Sequence, residues 1–329
     1  MSSNYETPTL CISSSVMGGL GNQLFQIFTT IAYGIKYSRK IIFPEHLTVQ
    51  STCPRHTYWD SFLKHLFIFT TKFAPNKINE RMLYAFPIYQ EGQGFSHIEI
   101  PEFKMTNVRL NGYFQSYKYF EKYMAKILNL IKYNNIRNQF VEKYKEYLTE
   151  LNFSPFQIEN TEKEKCKIVS MHFRIGDYKA LPDYHPLLSY VYYVHAIEHV
   201  MKKLQEKNEK VNFLVFFQEE DFEIVNGYFE HHFYNRFPEI KHRFVKKGLD
   251  DWEELILMSL CDHHIIANST FSWWGAYLGE KTSDNSEKMI CYPDMWFGFE
   301  YMNQNTSDLF PPNWTKIDAG MPHYRFTWN

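Results

Sequence analysis

The sequence predicts an α/β protein of two doubly wound, parallel-sheet domains facing each other across a cleft. Three observations predict it. A strand, a glycine turn and an amphipathic helix open the chain, and a second strand-and-helix series begins near residue 168. Between them, residues 152–167 (NFSPFQIENTEKEKCK) are polar, charged and without periodicity, as a linker is. The expected domains are therefore 1–155 and 166–329, and 329 residues with 44% hydrophobic content are enough to bury a core in each.

Taken in order, residues 9–17 (TLCISSSVM) have strand character. GGLGNQ then turns the chain into a helix whose apolar stripe is Leu24, Phe28, Ile31 and Ile35, with Ile27 filling in. Ile41, Ile42 and Phe43 form a short buried strand ended by Pro44, which closes a βαβ unit. Residues 44–112 are irregular and predict loops with short elements, and 117–150 predict one or two helices. In the second half, 168–173 (IVSMHF) is a buried strand, 189–206 a helix on Val194, Ile197, Met201 and Leu204, and 211–217 (VNFLVFF) another buried strand. Asp250 and Glu253 make a capping-box start for a helix carrying Trp252, Leu255, Ile256 and Leu260. Ile265, Ile266 and Ala267 feed directly into NSTFSWWGAYLG, a helix from near Ser269 to Gly279, and 288–292 (KMICY) give the last strand.

Composition removes several classes of function. Net charge is −2, from 35 Lys+Arg against 37 Asp+Glu, so no general field holds nucleic acid or an acidic membrane, and a phosphate ligand must be held locally. The 18% of aromatic residues are scattered and read mainly as core. Cys11, Cys53, Cys166, Cys261 and Cys291 are odd in number, widely spaced and mostly inside apolar runs, the pattern of reduced buried thiols. The polar N-terminus has no signal-peptide pattern, and no apolar run approaches ~18 residues, so a soluble cytoplasmic protein without a transmembrane segment is expected. On that expectation the sequons at Asn152, Asn268, Asn305 and Asn313 are chance matches.

In open parallel sheets ligands sit at the carboxyl ends of strands, and three such places are rich in polar chemistry. The first is GGLGN. A dinucleotide fingerprint needs a third glycine where Leu24 stands, so the turn reads equally as a ligand contact or as a strand-to-helix turn needing glycine. Asn22 there either caps the helix or points its amide into the cleft. The second place is 172–178 (HFRIGDY), where His172 and Arg174 share one strand face. Arg174 suits a phosphate because its fork stays charged when partly desolvated; the competing reading is an ion pair with Asp177. The third is Asn268-Ser269-Thr270-Phe271-Ser272, where helix-start amides and hydroxyls form an anion site; Trp273 and Trp274 beyond it read as core.

No Asp-x-Asp pair, phosphate-loop motif or Gly-x-Ser-x-Gly turn occurs, which argues against a carboxylate-held metal and against a nucleophilic serine. Asp262, His263 and His264 enter a strand as neighbours and point to opposite faces, so they read as structural.

Together, GGLGNQLFQ, HFRIGDY and CDHHIIANSTFSWWGAYLG resemble blocks of glycosyltransferase family 11, the α-1,2-fucosyltransferases. GYFQSYKYF at 112–120 and DWEELILMSL are similar to further family segments, and the match runs in order from about residue 16 to 280. The resemblance implies a GT-B fold of two Rossmann-like domains, the N-terminal one on the acceptor side. It also implies GDP-fucose as donor, inverting transfer without metal or cofactor, and a galactose-terminated glycan as acceptor. It places Arg174 on the donor diphosphate and Ser269, Thr270 and Phe271 near phosphates and nucleoside, with Asn268, Ser272, Gly19 and Gly21 alongside. Asn22 faces the transferred sugar, and Tyr113, Gln115 and His185 are assigned to the acceptor. The second Arg of the family's His-x-Arg-Arg motif is replaced by Ile175, leaving Arg174 the only guanidinium of its block. His172, Asp177 and His185 are the nearby titratable groups for a base. The guanine of such a donor asks for a carboxylate opposite its N1 and N2 donors, for which Glu219, Glu220, Asp251 and Glu254, after a strand or at a helix start, are candidates. Two rival classes stand beside the transferase: a catalytically silent carbohydrate- or nucleotide-binding relative, and a dinucleotide-dependent oxidoreductase.

Overall fold

The structure is a computed structural model that describes residues 9–46, 55–92, 95–152, 166–283 and 288–321. The chain forms two compact α/β units, Met1–Ile136 with Asn305–Pro311, and Arg137–Gln304 with Pro312–Asn329.

The N-terminal unit consists of β1 (Cys11–Ser14), α1 (Leu20–Lys36), β2 (Lys40–Ile41), α2 (Glu80–Tyr84), β3 (Ile88–Gln90), β4 (Val108–Asn111) and α3 (Met124–Leu130). Its strands are all parallel, in the order β2-β1-β4-β3. Leu24, Ile27, Phe28 and Ile31 are fully buried along α1, the apolar stripe expected of that helix. Gly19 is the N-cap, so Asn22 lies within the first turn rather than capping it. The strand expected at 41–43 is observed one residue earlier, with Phe43 continuing as a bridge to Thr70. Residues 44–112 hold β3 and β4, which are too short for alternation to show in the sequence.

The C-terminal unit contains most of α4 (Tyr133–Lys143), then α5 (Lys145–Glu150), β5 (Cys166–His172), α6 (Tyr190–Glu206), β6 (Lys210–Phe216), α7 (Phe222–Tyr228), α8 (Tyr234–Arg236) and β7 (His242–Phe244). It continues with α9 (Asp251–Leu260), β8 (His263–Ile265), α10 (Thr270–Lys281), β9 (Ile290–Pro293) and β10 (Thr315–Ile317). The six strands are parallel in the order β10-β9-β8-β5-β6-β7. β5 and β6 are buried over most of their length because helices cover both faces of such a sheet. Strands β7 and β10 lie at its two edges and were not expected; the last strand is β10 rather than the one near residue 290.

The division between units falls earlier than the expected end of the first domain at 155. Helices α4 and α5 are tied to the C-terminal unit: Lys143 Nζ (2.7 Å) and Tyr144 Oη (2.9 and 3.0 Å) donate to the Glu253 carboxylate of α9. The Lys246 amide donates to Tyr147 Oη at 3.0 Å. Most of the linker at 152–167, and Cys53, lie outside the described residues. Cys11, Cys261 and Cys291 are buried free thiols and Cys166 is half-buried. No helix of the described residues is long and apolar enough to cross a membrane.

Each sheet has a reversal where neighbouring strands connect in sequence toward opposite edges, between β1 and β4 in the first and between β5 and β8 in the second. Loops leaving the carboxyl ends diverge at such a reversal and open a crevice there.

Candidate functional site

In the C-terminal unit the reversal falls between the strands that carry the second and third polar blocks. Arg174 leaves the end of β5 and is 19% exposed. Its Nη1 donates to Gln218 Oε1 at 2.7 Å and its Nη2 to Asp177 Oδ1 at 2.5 Å, with the Tyr178 ring 5.0 Å from the guanidinium carbon. The ion pair with Asp177 therefore exists, and it holds the fork by two of its five N–H donors while the others remain for an anion. Gly176 makes the approach of Gln218 feasible, since a Cβ there would stand 1.9 Å from Gln218 Oε1. Asp221, buried beneath, accepts the Gly176 amide at 2.8 Å and pairs with Lys179 at 2.5 Å, fixing the turn. Ile175 is buried in the core of this unit, so an arginine at that position would have no room to reach a ligand from the same backbone.

The third block sits at the neighbouring strand end. Ser269 caps α10, its Oγ accepting the Phe271 amide at 3.3 Å. Thr270 and Phe271 are half-buried at the helix start, and the Phe271 ring lies 5.5 Å from the His172 ring. Asn268 and Ser272 serve the fold instead: Asn268 Nδ2 donates to the carbonyls of Pro186 (2.9 Å) and Trp296 (3.3 Å). Ser272 Oγ, fully buried, donates to those of Ser269 (3.2 Å) and Ala267 (3.4 Å). Trp273 and Trp274 are core. Tyr178 links the two blocks by donating to the Asn268 carbonyl at 3.1 Å while stacking on His185 at 4.6 Å.

Electrostatics sorts the titratable groups. His172 is 7% exposed, and burial, reinforced by the Arg174 charge, pushes its imidazole down to about 3; it is neutral at pH 7 and a poor proton acceptor there. His185 is lowered by burial, an effect that Asp177 opposes and Arg174 reinforces. Among the carboxylates considered for guanine, Glu219 is exposed and paired with Lys247, Glu220 is exposed beside Gln218, and Asp251 is exposed. Glu254, in the first turn of α9, is the one that burial pushes up to about 7, helped by the nearby Asp251 charge. Asp262 Oδ2 accepts the Ile168 amide, His263 Nδ1 accepts the Met289 amide, and His264 Nδ1 pairs with Ser170 Oγ, so all three stabilise the sheet. Among the described residues no group of three or more His, Cys, Asp or Glu is placed to hold a metal ion.

In the N-terminal unit the reversal lies between β1, which runs into the GGLGN turn, and β4, which runs into Gly112–Gln115. The structure brings these together: Gln115 Nε2 donates to Asn22 Oδ1 at 3.0 Å. Gln115 is 6% exposed and its Oε1 has no hydrogen-bond partner among the described residues, while Tyr113 is exposed. Gly18 makes the turn with φ 80°, Gly19 is extended at the cap, and Gly21 is buried inside the first turn of α1. Two residues of these edges escaped the sequence reading. Gln218 follows a recognised strand directly, so the rule that singled out Arg174 points to it as well. Glu91, whose burial pushes its carboxyl up to about 7 and whose bonds to the Phe114 and Tyr113 amides oppose that, follows a strand too short to be seen.

Two all-parallel, Rossmann-like units in one chain, each with polar residues at its strand reversal, match the GT-B fold of glycosyltransferases. The chain belongs to glycosyl transferase family 11, whose model matches residues 12–318. It is 30% identical over 217 residues to an α-1,2-colitosyltransferase of Escherichia coli, covering 62% of this chain and 69% of that one. Over 164 residues it is 27% identical to the O-antigen biosynthesis glycosyltransferase WbnK of Escherichia coli, covering 47% of this chain and 46% of WbnK. Among solved structures, POFUT1 in complex with GDP-fucose aligns with a TM-score of 0.44 at 13% identity, over 86% of this chain and 98% of that chain.

Proposed function

We propose that this glycosyltransferase moves fucose from GDP-fucose to a hydroxyl of a glycan, the 2-hydroxyl of a terminal galactose, with inversion and without a metal ion. The observation that carries the proposal is Arg174, anchored by Gln218 and Asp177 at the strand reversal, beside the capped start of α10. Breaking the bond between the sugar and the diphosphate builds positive charge on the sugar and negative charge on the leaving GDP. A guanidinium held in place beforehand, with the first amides of α10, stabilises that negative charge without reorganising. In this reading Phe271 packs on the nucleoside and Glu254 accepts from guanine N1–H and N2–H. In the same reading Asn22 is assigned to the transferred sugar and Gln115 to the acceptor, whose hydroxyl attacks opposite the leaving group. With His172 neutral and Asp177 engaged by Arg174, the transfer relies on a cation-like sugar rather than on a strong base.

A second donor is favoured by a specific relative. The α-1,2-colitosyltransferase is named for colitose, which is fucose lacking its 3-hydroxyl, so GDP-colitose belongs in the assay. The deciding experiment measures GDP release from GDP-fucose and GDP-colitose, with EDTA present, across galactose-terminated acceptors. Acceptor-dependent release that survives EDTA and falls by roughly 10²–10³ in Arg174→Ala is expected, the size of losing one charge-directed donor. Absence of GDP binding by the wild type would sink the donor assignment, and loss of activity in EDTA would sink metal independence.

A further inference from the structure

At the N-terminal edge the Gln115–Asn22 contact adjoins a loop whose amides a carboxylate accepts. Glu91 follows β3 directly, and the register Gln90↔Asn111 sets it beside Gly112 at the carboxyl end of β4. A Cβ at Gly112 would come within 2.3 Å of Glu91 Cβ and 2.4 Å of its Oε2, and the backbone there has φ 152°, so glycine alone admits this approach. Glu91 Oε2 accepts the Phe114 amide at 2.8 Å, and the carboxylate also takes the Tyr113 amide. Phe114 is left-handed, with φ 50°, a conformation that a phenylalanine keeps only where its surroundings over-determine it. The next residue is Gln115, whose Nε2 reaches Asn22 Oδ1 at 3.0 Å and whose Oε1 is left as a buried acceptor without a hydrogen-bond partner among the described residues. Among the described residues no cation pairs with Glu91; burial pushes its carboxyl up, and the backbone amides, strong donors to a carboxylate, oppose that.

We propose that Glu91 is a positioning residue of the transfer site: its grip on the Tyr113 and Phe114 amides fixes Gln115, and through it Asn22, to meet the sugar hydroxyls. The proposal rests on the transferase reading above and names the group that sets the geometry of its sugar-facing edge. Glu91 touches no reacting atom in this scheme; it acts through the loop.

The test uses the intact protein with Glu91→Ala, Glu91→Gln and Gln115→Ala. One readout needs no substrate: hydrogen exchange at the Phe114 amide should quicken at least tenfold in Glu91→Ala while the β1 and β4 amides keep their protection. The other is transfer. Glu91→Gln and Gln115→Ala should each lower kcat/KM for the acceptor by roughly ten- to a hundredfold, with the Kd for GDP within about twofold of wild type. The double variant should be about as active as the poorer single one, because the two residues act through one contact. Unchanged Phe114 exchange in Glu91→Ala, or losses that multiply in the double variant, would overturn the proposal. If the wild type consumes neither GDP-fucose nor GDP-colitose, the transferase reading fails on its own, and the exchange result still decides whether Glu91 clamps the loop.

Discussion

A carboxyl group buried without a cation stays partly protonated near neutrality, and Glu254 is held in that condition, pushed up to about 7 from an ordinary 4.5. In the free protein the sign follows directly: the contribution of Glu254 to folding is full below about 4.5 and is lost as pH rises through about 7. On the proposed guanine contact the sign reverses, since N1–H and N2–H need the ionised carboxylate. The affinity for GDP-fucose, whose phosphates do not titrate near neutrality, should rise about tenfold from pH 6 to pH 8, and Glu254→Gln should weaken it and flatten the profile. Calorimetric titration across that range checks this, and an unchanged profile in the variant would remove Glu254 from the guanine site. Much at this scale was legible beforehand. The place of Arg174 at a strand end could be read from the sequence, and Glu254 was one of four carboxylates, after a strand or at a helix start, considered for guanine. Choosing among the four needed burial, which depends on how α9 packs against residues distant in sequence.

Among the elements, α9 shows how a local signal becomes a tertiary joint. The capping box read from Asp250 and Glu253 is present, the Asp250 amide donating to Glu253 Oε2 at 3.1 Å, yet the same carboxylate also receives Lys143 and Tyr144. Burial raises its pKa, but Lys143, the Asp250 amide and Tyr144 outweigh burial and hold it below the usual range. Glu253→Ala should therefore cost about 1–3 kcal/mol in denaturant unfolding, from a lost cap and stranded partners, and Glu253→Gln less. As a lowered carboxyl, Glu253 supports folding above its unfolded pKa and loses that support as pH falls through its folded one. The long helices α1, α6 and α10 and the buried strands β5 and β6 were readable because periodicity or continuous apolarity extends over many residues. Strands β3, β4, β7 and β10 span three or four residues each, too few for either signal, and their partners decide their conformation. The Glu91 clamp went unseen for that reason, being built wholly on β3 and β4.

For the whole molecule, the sequence showed two α/β units but not where one yields to the other, because α4 and α5 are amphipathic helices that either unit could have covered. Their allegiance comes from Glu253 and Lys246, about a hundred residues away. The other departure is Asn305–Pro311, which returns to the N-terminal unit from within the C-terminal one. Asp308 there accepts the His97 amide on Oδ2 at 3.0 Å, pairs with Lys118, and takes Ser116 Oγ on its carbonyl at 2.7 Å. Residues 1–136 expressed alone should resist proteolysis less than the same residues in the full chain, and a peptide spanning 305–311 should restore part of that resistance; equal resistance would show that the return segment is dispensable. Anyone exchanging the N-terminal unit between this chain and a relative therefore faces a discontinuous module. A chimaera with a single crossover near 136 would join one parent's residues 1–136 to the other parent's seven-residue brace, and a faithful exchange needs three junctions instead of one.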